Sequence, residues 1–164
     1  MNNDPLSFRL ELIAGGNSPL RRNQILDLWI GEGVLSTEEA SRRVSEVIYA
    51  IVDAKDAIHG VTTAYTGHLA DNSTPVWFLR MFIRRSARKA SGLKNRSAFQ
   101  WETLDKTCQF LRQSTHATHR GIVMVTENRK LWSEHWRQRL GERGWQVLGT
   151  DPRGNLLFFL GFNG

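Results

Sequence analysis

The apolar run Val76-Trp77-Phe78-Leu79-Arg80-Met81-Phe82-Ile83 breaks without a spacer into Arg84-Arg85-Ser86-Ala87-Arg88-Lys89-Ala90-Ser91-Gly92. A run this short and this apolar reads as a buried strand, and the cationic stretch behind it reads as a loop that can hold an anion. No Asp or Glu occurs between Asp71 and Glu102, while Arg80, Arg84, Arg85, Arg88, Lys89, Lys94 and Arg96 all fall in that interval. Local positive charge therefore has no compensating neighbour in sequence, and the residues from Asn72 to Trp101 are expected to give a contiguous positive surface. Phosphate is the partner that such a surface predicts, carried either by a cofactor or by nucleic acid.

At 164 residues the chain suits a single domain spanning 1–164, long enough to enclose one core. Its formal charge of +6 favours an acidic partner but says nothing of fold. The opening Met-Asn-Asn-Asp lacks a basic and then apolar leader pattern, and the apolar run Leu156 to Leu160 is too short to span a bilayer. A cytoplasmic protein with no membrane partner is expected. Cys108, the one cysteine, sits between Leu104 and Leu111 at helical spacing and reads as a core thiol.

Along the chain, Phe8, Leu10 and Leu12 alternate inward against Arg9 and Glu11, and Gly15-Gly16-Asn17 with Pro19 stops this strand. Ile25, Leu28 and Trp29 then mark a helix punctuated by Gly31 and Gly33. Ser36 to Glu39 offers a capping box ahead of Ala40, Val44 and Val47 on one helical face. Ile48–Val52 and His59–Tyr65, separated by Asp53-Ala54-Lys55-Asp56, read as an antiparallel hairpin that the Val76 strand continues. Phe99, Leu104, Cys108 and Leu111 predict a third helix, and Ile122–Val125 a short buried strand. Leu131, Trp132, His135, Trp136 and Leu140 predict a fourth helix ending at Gly144, its aromatic residues packed on a sheet. Trp145–Leu148 and Leu156–Phe162 close the chain as a hairpin around Asp151-Pro152-Arg153-Gly154. His116-x-x-His119 has the spacing of metal ligands, but one Cys and no nearby carboxylate make it a polar loop with no metal implied.

This order of elements resembles the GNAT superfamily of N-acyltransferases over nearly the whole chain. Ile83 and Arg88-Lys89-Ala90-Ser91-Gly92-Leu93 are similar to the family's cofactor loop, with Ser91 at its first glycine and Leu93 at its second. Asn128 through Gly144-Trp145 resembles a second family segment, with Leu140 where the family often has a Tyr that acts as general acid. The resemblance implies an α/β (α+β) domain with a mixed, mostly antiparallel central sheet and about four flanking helices. It implies acetyl-coenzyme A or another acyl-coenzyme A as donor, and transfer to the amine of a small molecule or macromolecule. Arg88, Lys89, Ala90, Ser91 and Gly92 would carry the pyrophosphate, with Arg84 or Arg85 near the 3'-phosphate or the diphosphate, and Phe82, Ile83 and Arg84 would align the pantetheine, with Asn128 also in the cofactor site.

No catalytic residue is assigned. The run through Trp77, Leu79 and Met81 offers no carboxylate, so Glu127, after the fifth strand, and His68, beyond the third, are the available bases. Two other readings remain open: a non-catalytic scaffold of the same fold, and a protein that binds or modifies nucleic acid through the basic stripe at 80–96.

Overall fold

The computed structural model describes residues 7–16, 18–70, 74–89, 96–114 and 118–162. Seven strands, β1 (Phe8–Leu12), β2 (Val47–Asp53), β3 (Ile58–His68), β4 (Pro75–Ile83), β5 (Gly121–Thr126), β6 (Trp145–Thr150) and β7 (Leu156–Gly161), form one sheet in the order β1-β2-β3-β4-β5-β7-β6. The β1–β2, β2–β3, β5–β7 and β6–β7 ladders are antiparallel and β4–β5 is parallel, giving the mixed sheet that the sequence predicts. The described helices are α1 (Pro19–Gly31), α2 (Thr37–Arg43), α3 (Arg85–Lys89), α4 (Arg96–Ser114) and α5 (Glu134–Gly141). No described helix is long and apolar enough to cross a membrane. Contacts divide the chain into two compact units, Met1–Thr63 with Met81–Thr107 and Ala64–Arg80 with Cys108–Gly164.

In the first unit, Ser18 caps α1 by accepting from Arg21 N, with Pro19 in the first turn where its missing N–H costs nothing. Ile25, Leu28 and Trp29 are buried on the face that the sequence predicts. Ser36 likewise caps α2 by accepting from Glu39 N at 3.2 Å, but the Glu39 carboxylate turns to Arg42 and Arg43, which hold its pKa down to about 2. Ala40, Val44 and Val47 are all buried as expected, yet not from one helix: α2 ends at Arg43, Val44 starts a 3-10 turn and Val47 starts β2. They join Ile13, Ile25, Leu28, Val52 and Val61 in one core cluster. The expected alternation in β1 fails at Leu12, which is 51% exposed, while Ile13 is buried. Both Ile13 N and Ala14 N donate to Ile48 O, so the chain slips by one residue there and Ile13 takes the inward place.

The β2–β3 turn is held by Asp53. One carboxylate oxygen accepts from Lys55 N and Ala57 N, both at 2.9 Å, and the other meets His59 Nε2 at 2.7 Å. Asp56 takes a left-handed φ of 69°, and its carboxylate accepts from Arg9 and Arg21. Arg21 is buried and makes two parallel bonds of 2.8 Å to Glu11, so one guanidinium ties β1, α1 and the turn together.

In the second unit, β5 pairs in register with β7 from Gly121↔Gly161 to Thr126↔Leu156. The predicted fourth helix is not continuous. A 3-10 turn, Arg129–Trp132, is followed by Ser133, whose extended backbone and hydroxyl cap a new helix, α5, by accepting from Trp136 N. The break rotates the aromatic residues out of the predicted face: His135 is exposed, Trp132 and Trp136 are half-buried, and Leu140 is buried. Cys108 is a buried thiol, as expected.

Asp53→Ala is expected to lower stability by about 2 kcal/mol at neutral pH in urea denaturation, since the part-buried N–H groups of Lys55 and Ala57 and the His59 ring lose a charged acceptor. Burial pushes the Asp53 carboxyl up, but the N–H groups of Ala57 and Lys55 and the His59 ring outweigh it and hold it below its ordinary 3.8. Its stabilisation is thus complete above about pH 4 and is withdrawn as pH falls through the lowered value. The variant should show a shallower acid limb than the wild type.

Candidate functional site

The end of β4 is set by its neighbour β3. Arg84 N donates to His59 O at 2.7 Å, and a Cβ placed on Gly60 would stand 2.6 Å from Phe82 O, so only glycine lets the two backbones approach this closely. His59 is itself fixed through Asp53, with its ring 5.2 Å from Phe8. The chain then turns at once into α3, with Arg88 N donating to Arg84 O at 3.0 Å. Ala87 is buried and anchors this short helix, while Arg85 and Arg88 are exposed. What the sequence reads as a loop from Arg84 is therefore helical over Arg85–Lys89.

Charge in this segment is not uniformly uncompensated. Arg84 Nε lies 3.1 Å from Glu32 Oε1, just beyond the end of α1, so a carboxylate distant in sequence neutralises it. Its backbone is also engaged, N–H to His59 and carbonyl to Arg88. Arg85 and Arg88 are the exposed cations of this turn among the described side chains.

α4 closes this side of the first unit. Thr103 and Thr107 return their hydroxyls to carbonyls one turn back, and Thr107 also donates to Thr62 Oγ1 on β3 at 3.1 Å. A cavity of about 20 Å³, lined in part by Phe8, Ile51, Ile83, Ala87, Arg88 and Phe99, lies among these elements. That is room for one water, too small for any part of a nucleotide.

In the second unit, Asn128 serves as a cap: its side-chain oxygen accepts from Lys130 N at 3.1 Å. Glu127 is exposed directly after β5, and His68 is exposed at the end of β3. Leu140 is buried and has no proton to give. His119 stacks on Trp77 with centroids 4.4 Å apart and meets Thr66 Oγ1 and Thr118 Oγ1; burial, with His68 nearby, lowers its pKa. No group of residues able to hold a metal occurs among the described residues, and His116 lies outside them.

Of the residues singled out in sequence, Phe82, Ile83, Arg84, Arg85, Arg88 and Lys89 follow one another through the end of β4 and α3. Ala90, Ser91 and Gly92 lie outside the described residues, and Asn128 belongs to the second unit. Sequence reasoning missed Glu32, for which no local signal exists. It also missed the Asp53–His59 pair, which the predicted hairpin does bring to neighbouring strand ends.

A parallel β4–β5 pair inside a mostly antiparallel sheet, with a cationic helical turn at the end of β4, is the arrangement to compare with solved structures. A GNAT-family acetyltransferase from Streptococcus pneumoniae superposes with a TM-score of 0.58 at 12% identity, covering 93% of this chain and 98% of that one. One from Listeria monocytogenes gives 0.57 at 14%, covering 96% of each. Arabidopsis thaliana NAA60 in complex with acetyl-CoA gives 0.58 at 11%, covering 96% of this chain and all of that one. The fold is the GNAT fold. No protein-family model and no curated protein sequence matches the chain. The likeness to GNAT acetyltransferases is thus carried by backbone arrangement and not by shared residues.

Within the GNAT fold, the Gly60 contact decides how β4 ends. Gly60→Ala is expected to cost about 1–3 kcal/mol, read as a lower urea midpoint, because the backbone of Phe82 would have to move away from β3.

Proposed function

We propose that the protein is an acyl-coenzyme A-dependent N-acyltransferase that passes an acetyl or related group to an amine. The observation that carries this reading is the pair of exposed arginines, Arg85 and Arg88, on the turn that ends β4 of a GNAT fold. Guanidinium groups suit a diphosphate because their planar N–H edges pair with two oxygens at once. The structural neighbours add support, since NAA60 is seen with acetyl-CoA and the NatC complex with CoA and a peptide.

On this reading Arg85 and Arg88 hold the pyrophosphate, together with Lys89 and the backbone of Ala90, Ser91 and Gly92. Arg84, neutralised by Glu32 and with both backbone groups engaged, orders the turn instead of contacting phosphate. Alignment of the pantetheine then falls to Phe82 and Ile83. Asn128 holds the start of the 3-10 turn after β5 and acts through that turn's position. In the transfer itself the amine nitrogen forms a C–N bond as the thioester C–S bond breaks, and the proton lost from nitrogen ends on the thiolate. Leu140 supplies no acid and β4 carries no carboxylate to act as base, so the protein contributes orientation and the acceptor arrives neutral.

Calorimetry with coenzyme A tests the site: Arg88→Glu should weaken binding at least about tenfold, through loss of one charge-assisted contact and like-charge repulsion. No heat from wild type, or an unchanged affinity in the variant, would remove the cofactor from this turn. Initial rates against pH with two amines of different basicity test the chemistry, and the inflection should follow the amine. An inflection that ignores the amine and vanishes in Glu127→Gln or His68→Ala would instead identify an enzymatic base. Coenzyme A binding without turnover of any amine would favour the scaffold reading.

A further inference from the structure

We propose that the surface from Arg129 to Arg139, where four cations surround two half-buried tryptophans, binds single-stranded nucleic acid. The reading is independent of acyl transfer. The second unit holds nine Lys and Arg against five Asp and Glu, so it carries +4 of the chain's +6.

The two units handle their cations differently. In the first, Arg9, Arg21, Arg42, Arg43 and Arg84 each meet a carboxylate. In the second, arginines lie over aromatic rings: Arg80 over Tyr65, Arg120 over Phe159, Arg129 over Trp132 and Arg139 over Trp136. A ring orients a guanidinium without neutralising it, so the charge of Arg129 over Trp132 remains available to a phosphate. Among the described residues Arg129, Lys130 and Arg137 form no ion pair, and all three are exposed. In the stripe at 80–96 that sequence alone points to, Arg84 is neutralised by Glu32.

The tryptophans supply what a merely basic face lacks. Trp132 donates its indole N–H to Thr126 O and Oγ1, both at 3.1 Å, which fixes the ring beside Arg129. Trp136 has His135 against it at 73° and Arg139 over its face. Fixed, partly accessible rings interleaved with cations are a stacking platform for unpaired bases whose backbone the cations track. A lipid surface fits less well. The apolar Leu140 of α5 is buried, and Glu134, His135, Arg137 and Gln138 form its exposed side, leaving no apolar face to insert.

The test is fluorescence anisotropy with a labelled oligouridine of about 20 nucleotides, without coenzyme A, starting at about 50 mM salt and rising. Wild type should bind, with affinity falling linearly on logarithmic axes. Arg129→Glu/Lys130→Glu/Arg137→Glu should weaken binding more than about tenfold and reduce that slope by about 2, the loss expected for three phosphate contacts. Lys130→Glu alone, at an exposed side chain, should reduce it by about 0.7 and covers the case in which the triple variant misfolds. Trp136→Leu should weaken binding with an unchanged slope. Arg85→Glu/Arg88→Glu should bind as wild type does. Three results would overturn the proposal: no binding at the lowest salt, binding lost in Arg85→Glu/Arg88→Glu but kept in the triple variant, or binding to phosphatidylserine vesicles with none to the oligonucleotide.

Discussion

The Asp53 carboxylate is the fixed point on which the first unit is arranged. It satisfies two backbone donors of its own turn and the ring of His59, and its backbone carbonyl accepts from Arg9 as well. That set of bonds decides where β3 begins, and β3 in turn decides where β4 ends, because His59 O receives Arg84 N and Gly60 lies against Phe82 O. A polar group so deeply placed is tolerated because both of its oxygens have partners. The cationic turn of the candidate site thus inherits its position from a carboxylate two strands away.

The parts of this arrangement legible in sequence are those that local chemistry dictates. Asp53-Ala54-Lys55-Asp56 between β-branched runs gives the hairpin, and Ile25, Leu28 and Trp29 give the buried face of α1, because turn residues and periodicity act over a few positions. The mixed, mostly antiparallel sheet followed from resemblance. What stayed hidden is tertiary: nothing near Arg84 announces that Glu32 will neutralise it, and a charge gap in sequence is not a charge gap in space. The fourth helix shows a different failure. Trp132, His135 and Trp136 have helical spacing, but Ser133 followed by Glu134 is itself a helix-start signal, and the local cap prevailed over periodicity.

The candidate site was legible to a similar depth. Its location at the end of the apolar run could be read directly, because a strand that ends in cations has few alternatives. The division of labour among those cations could not. Arg84 is taken by Glu32 and by two backbone bonds, and among the described side chains Arg85 and Arg88 are exposed. Cations that look alike in sequence thus separate into Arg84, held by a carboxylate, and Arg85 and Arg88, exposed to solvent.

Aromatic partners and carboxylate partners hold an arginine for different ends. The Arg21–Glu11–Asp56 cluster fixes a turn and leaves no net positive charge at its centre, as suits a group buried to a tenth of its exposure. A guanidinium over Tyr65 or Trp132 is held in place yet stays cationic, at the cost of the repulsion that gathers with each such residue. A fold under pressure only for stability would place carboxylates there, since Glu127 and Glu134 already flank the segment and a small shift in sequence would bring them opposite its cations. Arg129, Lys130 and Arg137 keep their charge at the surface of the second unit, exposed and without an ion pair among the described residues.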